Sequence, residues 1–502
     1  MLQGTASSVG KSLLTAALCR ILHEDGYRVA PFKAQNMALN AAVTSTGGEI
    51  GRAQAVQAEA ACIAPTVEMN PILLKPEGAM RSHVVILGRS AGSMTWNEYQ
   101  NMRAALIRTV DDCIAKLRAA FDVVVIEGAG SPAEINLRSQ DLVNMHVAAA
   151  AEAPVLLIGD IDRGGVFAHL AGTLELLMPE ERARIAGLVI NKFRGDAALL
   201  KAGLDYLESR YQLPVLGVVP FLERLRIAEE DSVALEGRRT VPSSQGAAEL
   251  QIAIVRLPGI SNYDDFSALE HEPGVVVSYV EGEQAIRRAD LVIVPGSKST
   301  MRDLAWLRRL GLDRPIRERA EAGWLTLGIC GGCQMLGERI EDPEGVESEQ
   351  RATDGLGILP LTIHFERAKR TAQVRATVDS ASFIGVRSGA GEVNGYEIHM
   401  GRTIAATGAA SPFRIISRNG QPCDAPDGAL SPNHATVGTM LHGIFENDGV
   451  RAALLSSLRK RKGLPEPEGP LVASRDAEYA RLAAVVRASL DIAAVKRMSG
   501  IA

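Results

Sequence analysis

The sequence predicts an α/β protein made of two doubly wound domains. In the first half, apolar runs rich in Val, Ile and Leu alternate with amphipathic, helix-like stretches. A polar stretch interrupts this pattern from residue 236, and a second alternating pattern starts at residue 250. Continuous apolar runs of this kind are typical of parallel strands that helices cover on both faces.

These changes of pattern predict four segments, which are residues 1–235 (a P-loop domain), 236–249 (a linker), 250–455 (a second α/β domain) and 456–502 (a helical tail). The strands expected in the first domain are residues 27–32, 82–87, 121–126, 154–158, 185–190 and 214–219. Alternating, β-branched residues in 364–400 predict antiparallel strands added to the second domain.

The composition is that of an ordinary soluble globular protein. The chain has 502 residues, 46% hydrophobic and 23% charged, and a net charge of −5, which argues against a nucleic-acid binder. No stretch approaches the roughly 20 apolar residues that cross a bilayer. Six cysteines are too few for a disulfide framework and favour a cytoplasmic location.

A nucleophile motif stands out in the second domain. An apolar run leads directly into Gly328-Ile-Cys330-Gly-Gly-Cys-Gln334, which has the pattern of a nucleophile elbow with cysteine in place of serine. The glycines permit a sharp turn, and a sulfur at a helix N-terminus is favoured as the thiolate. Cys330 and Cys333 also form a C-x-x-C, so a redox pair or half a zinc site is the alternative.

A cysteine nucleophile requires a base and an oxyanion hole. His442 follows a short apolar strand, as Cys330 does, and is the preferred base, with His399 second. The alternative for any single histidine is a purely structural role. Gly296 and Gly331 are the expected oxyanion donors.

The N-terminus carries a phosphate-binding loop, Gly4-Thr-Ala-Ser-Ser-Val-Gly-Lys-Ser, in which Thr5 replaces the usual glycine. Small residues let backbone N–H groups converge on phosphate, Lys11 adds a charge and Ser12 suits Mg²⁺. The expected nucleotide-binding residues are Thr5, Ser8, Gly10, Lys11 and Ser12. A Ser/Gly-rich turn that caps a helix is the alternative. Because three residues precede Gly4, either the start lies downstream of the natural one, which is the interpretation we favour, or the first strand is shortened.

Polar residues follow several of the predicted strands, where ligands bind in open α/β sheets. Glu127 is a candidate Mg²⁺ ligand, with a turn or helix-cap acid as the alternative. Lys33 is a candidate for contacting phosphate or a substrate carboxylate. Asp160 and Arg163 either recognise substrate or form a salt bridge, and Asn191 is a candidate for reading a base edge.

These motifs resemble known families. The segment around Cys330, together with Leu441-His442-Gly, resembles triad-type glutamine amidotransferases, and the N-terminal loop with Glu127-Gly-Ala-Gly resembles dethiobiotin synthetase. Their fusion in this order is characteristic of the cobalamin-pathway amidases. Within that group, residues 32–40, 51–54, 70–76 and 160–167 are similar to the cobyric acid synthases.

The resemblance implies glutamine- and ATP-dependent amidation of the b, d, e and g carboxylates of the corrinoid adenosylcobyrinic acid a,c-diamide, giving adenosylcobyric acid. Glutamine, ATP and Mg²⁺ are then required, with Glu49 as a second Mg²⁺ ligand. Triad amidotransferases carry Glu two residues after the histidine. Here that residue is Ile444, and Glu446 is too displaced, so the base is expected to lack an orienting carboxylate.

Two other functions are weighed against this one. Cobyrinic acid a,c-diamide synthase shares the order of modules but lacks the Lys33-Ala-Gln-Asn-Met type of segment, so it ranks second. A regulatory P-loop ATPase with a non-catalytic amidotransferase-like domain is the alternative from another class. It predicts no glutaminase activity and no labelling of Cys330 by glutamine-analogue electrophiles.

Overall fold

The structure is a computed structural model, and it describes residues 1–77, 80–222, 225, 227, 249–379, 382–385, 391–465 and 475–501. The chain forms two compact units: Met1–Ala38, Ile50–Glu230 and Ala473–Ala502 make the first, and Leu39–Glu49 and Asp231–Val472 the second. The expected linker, 236–249, lies outside the described residues apart from Glu249. Among the helices of the described ranges, none is both long and apolar enough to span a bilayer.

The strands in chain order are β1 (Leu2–Gly4), β2 (Val29–Phe32), β3 (Gln35–Met37), β4 (Ala41–Val43), β5 (Glu49–Gly51), β6 (Ile72–Pro76), β7 (Arg81–Ile86), β8 (Arg89–Thr95), β9 (Val123–Ile126), β10 (Val155–Asp160), β11 (Ile185–Phe193), β12 (Val215–Pro220), β13 (Leu250–Val255), β14 (Val275–Val280), β15 (Leu291–Val294), β16 (Thr326–Ile329), β17 (Arg339–Glu341), β18 (Ala352–Asp354), β19 (Leu361–Val378), β20 (Glu392–Ala405), β21 (Phe413–Arg418), β22 (Gln421–Asp427), β23 (Ala429–Leu430) and β24 (Thr436–Thr439).

The α-helices are α1 (Lys11–Glu24), α2 (Arg52–Ala60), α3 (Trp96–Asn101), α4 (Arg103–Ala120), α5 (Met145–Ala150), α6 (Val166–Leu176), α7 (Pro179–Arg182), α8 (Lys201–Tyr211), α9 (Ser267–Glu270), α10 (Glu283–Arg288), α11 (Thr300–Arg309), α12 (Asp313–Glu321), α13 (Gly331–Leu336), α14 (Asp448–Lys462), α15 (Arg475–Ser489) and α16 (Ile492–Met498). Short 3₁₀ turns occupy Val67–Met69, Arg138–Gln140, Ala197–Leu200, Tyr263–Phe266 and Ile444–Glu446.

The first unit is organised around a parallel sheet. Strands β1, β10, β11 and β12 pair in that order, and β2 pairs with β9. A parallel bridge between Leu2 and Glu127 links β9 to β1. The first strand is therefore present as three buried residues, next to β10. Because parallel strands end at the same edge, the loops after β1, β2 and β9 converge there.

One predicted strand of the first unit belongs to a different sheet. Residues 82–87 were expected in the parallel sheet, but β7 pairs antiparallel with both β6 and β8 in a separate four-stranded sheet. Its buried, apolar residues Val84 and Val85 carry no information about strand direction, which the short return through β8 decides. Helix α3 then starts with a capping box between Thr95 and Glu98.

The second unit also has a parallel sheet, in the order β14-β13-β15-β16-β24, with the short β23 antiparallel at its edge. Strands β13, β15 and β16 are almost completely buried. Beside it lies a second sheet in which the long strands β19 and β20 pair antiparallel, as the alternating pattern in 364–400 predicted. Both patterns therefore confirm the predicted two α/β domains.

The C-terminal segment is divided between the units. Helix α14 belongs to the second unit, whereas α15 and α16 belong to the first, where Tyr479, Leu482 and Val486 join the core that contains α1. The segment 456–502 was expected as one helical tail. Apolar burial, which is non-directional, attaches its last two helices to the distant N-terminal core.

Candidate active sites

Cys330 lies at a strained turn between β16 and α13. Its φ is 49° and its ψ is −110°, a backbone conformation that is costly for a residue other than glycine and that clusters at functional sites. A Cβ on Gly332 would lie 1.9 Å from the Val294 carbonyl oxygen, so only glycine fits there. The turn places the sulfur at the N-terminus of α13, as the elbow pattern predicted.

His442 is held between Cys330 and an acid. Its Nδ1 lies 2.6 Å from Asp265 Oδ2, and the imidazole interacts electrostatically with Cys330, whose Sγ lies 3.7 Å from the Ile398 carbonyl oxygen. Burial disfavours the imidazolium, but electrostatic attraction by Asp265 and by Cys330, with the hydrogen bond to Asp265, raises the pKa of His442 to about 10. These surroundings therefore favour the protonated form of His442 next to the Cys330 sulfur.

Asp265 is the functional residue that the sequence analysis missed. It lies on the 3₁₀ turn Tyr263–Phe266 that follows β13, and its other oxygen accepts a hydrogen bond from the Gly443 backbone N–H at 2.8 Å. The expectation that the base lacks an orienting carboxylate is therefore wrong. Ile444, at the usual position of the acid, is fully buried in the core. The available signal was an acid just beyond the C-terminal end of a predicted parallel strand.

The other predicted residues of this unit lie around the pair. A Cβ on Gly296 would be 3.1 Å from His442 Cε1, and one on Gly331 would be 2.7 Å from the Ser297 N. Asp303 fixes this loop by accepting hydrogen bonds from Ser297 Oγ (2.7 Å) and from the Gly259 N–H (2.9 Å). The predicted oxyanion donors are thus packed against the base and against the loop that faces it.

His399, the second candidate for the base, makes other contacts. Its Nδ1 lies 3.1 Å from the Gly401 carbonyl oxygen, and its Nε2 lies 3.9 Å from Glu397. Arg418 donates two hydrogen bonds to the same carboxylate, 2.7 Å and 3.1 Å long. His399 therefore belongs to a buried ion-pair cluster on β20 and β21.

The C-x-x-C alternatives receive no support. Burial raises the pKa of Cys333 well above its usual range, which makes this thiol a poor nucleophile and a poor metal ligand. Within the described ranges, His, Cys, Asp and Glu side chains nowhere form a group of three or more that could hold a metal ion. Cys333 instead packs against Gly438, in the core of the second unit.

In the first unit, three side chains donate hydrogen bonds to Glu127, which is buried at the end of β9. One carboxylate oxygen accepts hydrogen bonds from Ser12 Oγ (2.8 Å) and Lys33 Nζ (2.9 Å). The other accepts one from Gln57 Nε2 at 2.6 Å, a contact that the sequence analysis did not foresee. Lys11 lies over the loop and donates to the carbonyl oxygens of Ala6 (3.0 Å) and Gly130 (3.1 Å).

The phosphate-binding loop has the geometry its sequence predicted. Gly10 has a φ of 97° and starts α1, and Ser8 also has a positive φ of 59°. Thr5 Oγ1 is buried and has no hydrogen-bond partner among the described residues, as expected of a donor whose acceptor is a ligand. These features fit a bound phosphate group.

Asn191 and Asp160, two predicted ligand-binding residues, instead make contacts that support the phosphate-binding loop. Asn191 was a candidate for reading a base, but its Nδ2 donates to the Val9 carbonyl oxygen at 2.8 Å. Asp160 pairs with Lys192 (2.8 Å), which also donates to the Ser8 carbonyl oxygen, while Arg163 is exposed. Because these strand ends adjoin the loop, their polar groups satisfy its backbone.

The three residues predicted to bind Mg²⁺ differ in how well their surroundings suit a metal ion. Ser12 Oγ and the Glu127 carboxylate are adjacent hard oxygen donors at a helix N-terminus, which suits Mg²⁺ bound together with phosphate oxygens. Glu49 does not fit this role, because its buried carboxylate forms an ion pair with Lys369 inside the second unit. Ser12 and Glu127 are therefore the candidate Mg²⁺ ligands, and Glu49 is not part of this candidate site.

Comparison with known proteins identifies a family for each of the two units. Residues 1–234 match the CobQ/CobB/MinD/ParA nucleotide binding domain, and residues 251–450 match the CobB/CobQ-like glutamine amidotransferase domain. The cobyric acid synthase of Sorangium cellulosum is 60% identical over 100% of this chain and 98% of its own length. That of Moorella thermoacetica is 51% identical over 100% of this chain and 97% of its own length.

These similarities extend over both units. The chain therefore combines a nucleotide-binding domain with a glutamine amidotransferase domain in an enzyme of the glutamine-dependent amide synthase type. The chain belongs to the cobyric acid synthase family.

Proposed function

We propose that the chain amidates the b, d, e and g carboxylates of adenosylcobyrinic acid a,c-diamide, using glutamine as the nitrogen source and ATP as the activating nucleotide. The observation that carries the glutamine half of this proposal is the arrangement of His442 between Cys330 and Asp265. The family relationship supports a corrinoid acceptor.

In the second unit, the Cys330 thiolate attacks the side-chain amide carbon of glutamine. The Gly296 and Gly331 N–H groups stabilise the oxyanion of the tetrahedral intermediate. The His442 imidazolium gives its proton to the leaving nitrogen, so ammonia departs and a glutamyl thioester remains. Water, deprotonated by the now neutral His442, then hydrolyses the thioester to glutamate and restores the thiolate.

Asp265 serves this cycle by orientation. Its two oxygens accept from His442 and from the adjacent Gly443 N–H, which fixes both the ring and the backbone that carries it. The Tyr396 ring stacks on the His442 imidazole, with the two ring centroids 5.3 Å apart and the ring planes inclined by 15°. The imidazole is thereby confined to one position and one tautomer.

In the first unit, a substrate carboxylate attacks the γ-phosphorus of ATP, and ADP leaves. This step is required because a carboxylate is a poor electrophile. Ammonia then adds to the resulting acyl phosphate and displaces inorganic phosphate, which leaves the amide. Lys11 and the loop N–H groups hold the phosphates, and Lys33, 2.9 Å from Glu127, places a second positive charge at the transferred group.

Ser12 and Glu127 are the residues that would hold Mg²⁺, which when bound neutralises phosphate charge. Gln57 and Lys33 keep the Glu127 carboxylate in place. Neither contact depends on the metal, so the carboxylate is already oriented for its ligand.

One incubation tests the whole proposal. The enzyme is mixed with glutamine, ATP, Mg²⁺ and the a,c-diamide, and the corrinoid is followed by mass spectrometry. We expect four successive carboxylate-to-amide conversions that require both glutamine and ATP. Conversion of cobyrinic acid to its a,c-diamide instead would assign the sister activity, and absence of both glutamine hydrolysis and Cys330 labelling would favour a regulatory ATPase.

A further inference from the structure

A short segment from the N-terminal part of the sequence belongs to the amidotransferase unit. Residues Leu39–Glu49 lie between motifs of the nucleotide-binding domain, within the residues 1–234 that match that domain. The structure nevertheless groups them with Asp231–Val472. We propose that Asn40, in this segment, and Asn262 are positioning residues for glutamine hydrolysis, a role that rests on the proposed function.

The two asparagines form a reciprocal pair of hydrogen bonds. Asn262 Oδ1 accepts from the Ala41 N–H at 3.1 Å, and Asn40 Oδ1 accepts from the Tyr263 N–H at 3.3 Å. Asn40 is 1% exposed and Asn262 is 3% exposed, so water cannot easily replace either acceptor. Loss of one acceptor leaves a buried N–H unsatisfied, which disfavours the native position of the turn.

The segment is held at further points of the same unit. Gln373 Nε2 donates to the Val43 carbonyl oxygen at 2.6 Å, and Lys369 forms the ion pair with Glu49. Both partners lie on β19. The segment is therefore a fixed support for the Asn40–Asn262 pair and not a free loop.

The supported turn is the one that carries Asp265. Asn262 has a left-handed conformation, with a φ of 51°, and is the first residue of the turn, which continues through Tyr263–Phe266. A single 3₁₀ turn has little stability of its own. Asp265 in turn holds His442 and Gly443, so the hydrogen bonds of Asn40 and Asn262 fix the position of the acid on which the base depends.

The test compares three variants of the full chain. Asn262→Gly keeps the left-handed turn and removes only the acceptor for Ala41, because glycine adopts a positive φ without strain. Asn40→Ala removes the acceptor for Tyr263. Ser45→Ala, at an exposed serine in the same segment, is the matched control. Wild-type glutamine hydrolysis is measured first, so that its absence counts against the proposed function and not against the role of the two asparagines.

We expect Asn262→Gly and Asn40→Ala each to lower kcat for glutamine hydrolysis about tenfold, since small displacements of catalytic groups cost up to about 100-fold. The alkaline limit of the pH–rate profile of these two variants should move to lower pH. Their KM for glutamine and their ammonium-supported amidation should stay within about twofold of wild type. The control Ser45→Ala should stay within about twofold of wild type in all of these measurements. Unchanged hydrolysis in both variants, or an equal loss of both activities together with a lower Tm, would overturn the proposal.

Discussion

Asp265 Oδ2 lies 2.6 Å from His442 Nδ1, although 177 residues separate the two in the sequence. In triad amidotransferases the acid follows the histidine by two residues, and in this chain that place is taken by the buried Ile444. The equivalent hydrogen bond is here accepted by Asp265, which lies near the start of the domain's sequence, on the turn after β13. Such triads are recognised by geometry and not by sequence position.

The first prediction concerns this contact. Asp265→Asn should lower kcat for glutamine hydrolysis by about 10²- to 10⁴-fold, the range known when an orienting acid is replaced by its amide. Without the Asp265 charge the pKa of His442 falls from about 10 towards its ordinary value of 6.5. Because the imidazolium is the form that protonates the leaving nitrogen, the alkaline limb of the pH–rate profile should move to lower pH.

Glu446→Gln is the control for Asp265→Asn. Glu446 is an exposed acid close to His442 in sequence, so its amide variant should keep wild-type hydrolysis and an unchanged pH profile. If Glu446→Gln reduced activity and Asp265→Asn did not, the acid that orients the base would have been assigned to the wrong residue.

The second prediction separates the two half-reactions. Cys330→Ser should abolish glutamine-dependent amidation but retain amidation with high ammonium, because only the nitrogen source requires the thiolate. Covalent labelling by a glutamine-analogue electrophile should disappear in the same variant. Cys333→Ala should retain both labelling and hydrolysis, since Cys333 packs in the core. Loss of ammonium-supported activity in Cys330→Ser would contradict this division.

The third prediction concerns the nucleotide site. Lys11→Ala should reduce ammonium-supported amidation by at least about 10²-fold, the usual cost of removing a charge that stabilises a transition state. Glu127→Gln should have a comparable effect, because the Lys33 ammonium then loses its buried partner. Glutamine hydrolysis without acceptor, measured as glutamate release, should remain within about threefold in both variants, as should hydrolysis after chelation of Mg²⁺.

The fourth prediction concerns stability. Burial alone would raise the pKa of Glu397, but the nearby His399 imidazole, 3.9 Å away, and the Arg418 guanidinium, which donates two hydrogen bonds to it, lower this pKa to about 2. The folded value lies below the ordinary 4.5, so this carboxylate stabilises the fold above pH 4.5, and the contribution is lost as pH falls towards 2.

Arg418→Met should therefore destabilise the fold by about 3–5 kcal/mol near neutral pH, because it leaves a buried carboxylate without its main partner. The difference in Tm from wild type should shrink as the pH is lowered below 4.5. Arg375→Met, which breaks an ion pair whose two side chains are both 57% exposed, is the control and should change Tm little. An equal loss of Tm in the two variants would show that the buried pair has no special role.

Much of both sites was predictable because their central residues lie in contiguous motifs. Cys330, Lys11 and Ser12 each follow a strand and start a helix, and that local pattern is visible in the sequence. Three features were not predictable from the sequence. They are the antiparallel pairing of β7, the contact between Gln57 and Glu127, and the hydrogen bond by which Asn191 supports the phosphate-binding loop. Each of them depends on which distant segments pack together.

The sequence by itself determined the two α/β domains, the nucleophile and the phosphate-binding loop, because backbone turns and hydrophobic periodicity are local properties. Only the tertiary structure decided that Asp265 orients His442 and that residues 39–49 support the turn carrying Asp265. Side-chain partners of this kind are set by the packing of strands and loops that are far apart in the chain. An aspartate or asparagine in a turn has the same local signature whether or not a catalytic histidine lies beside it.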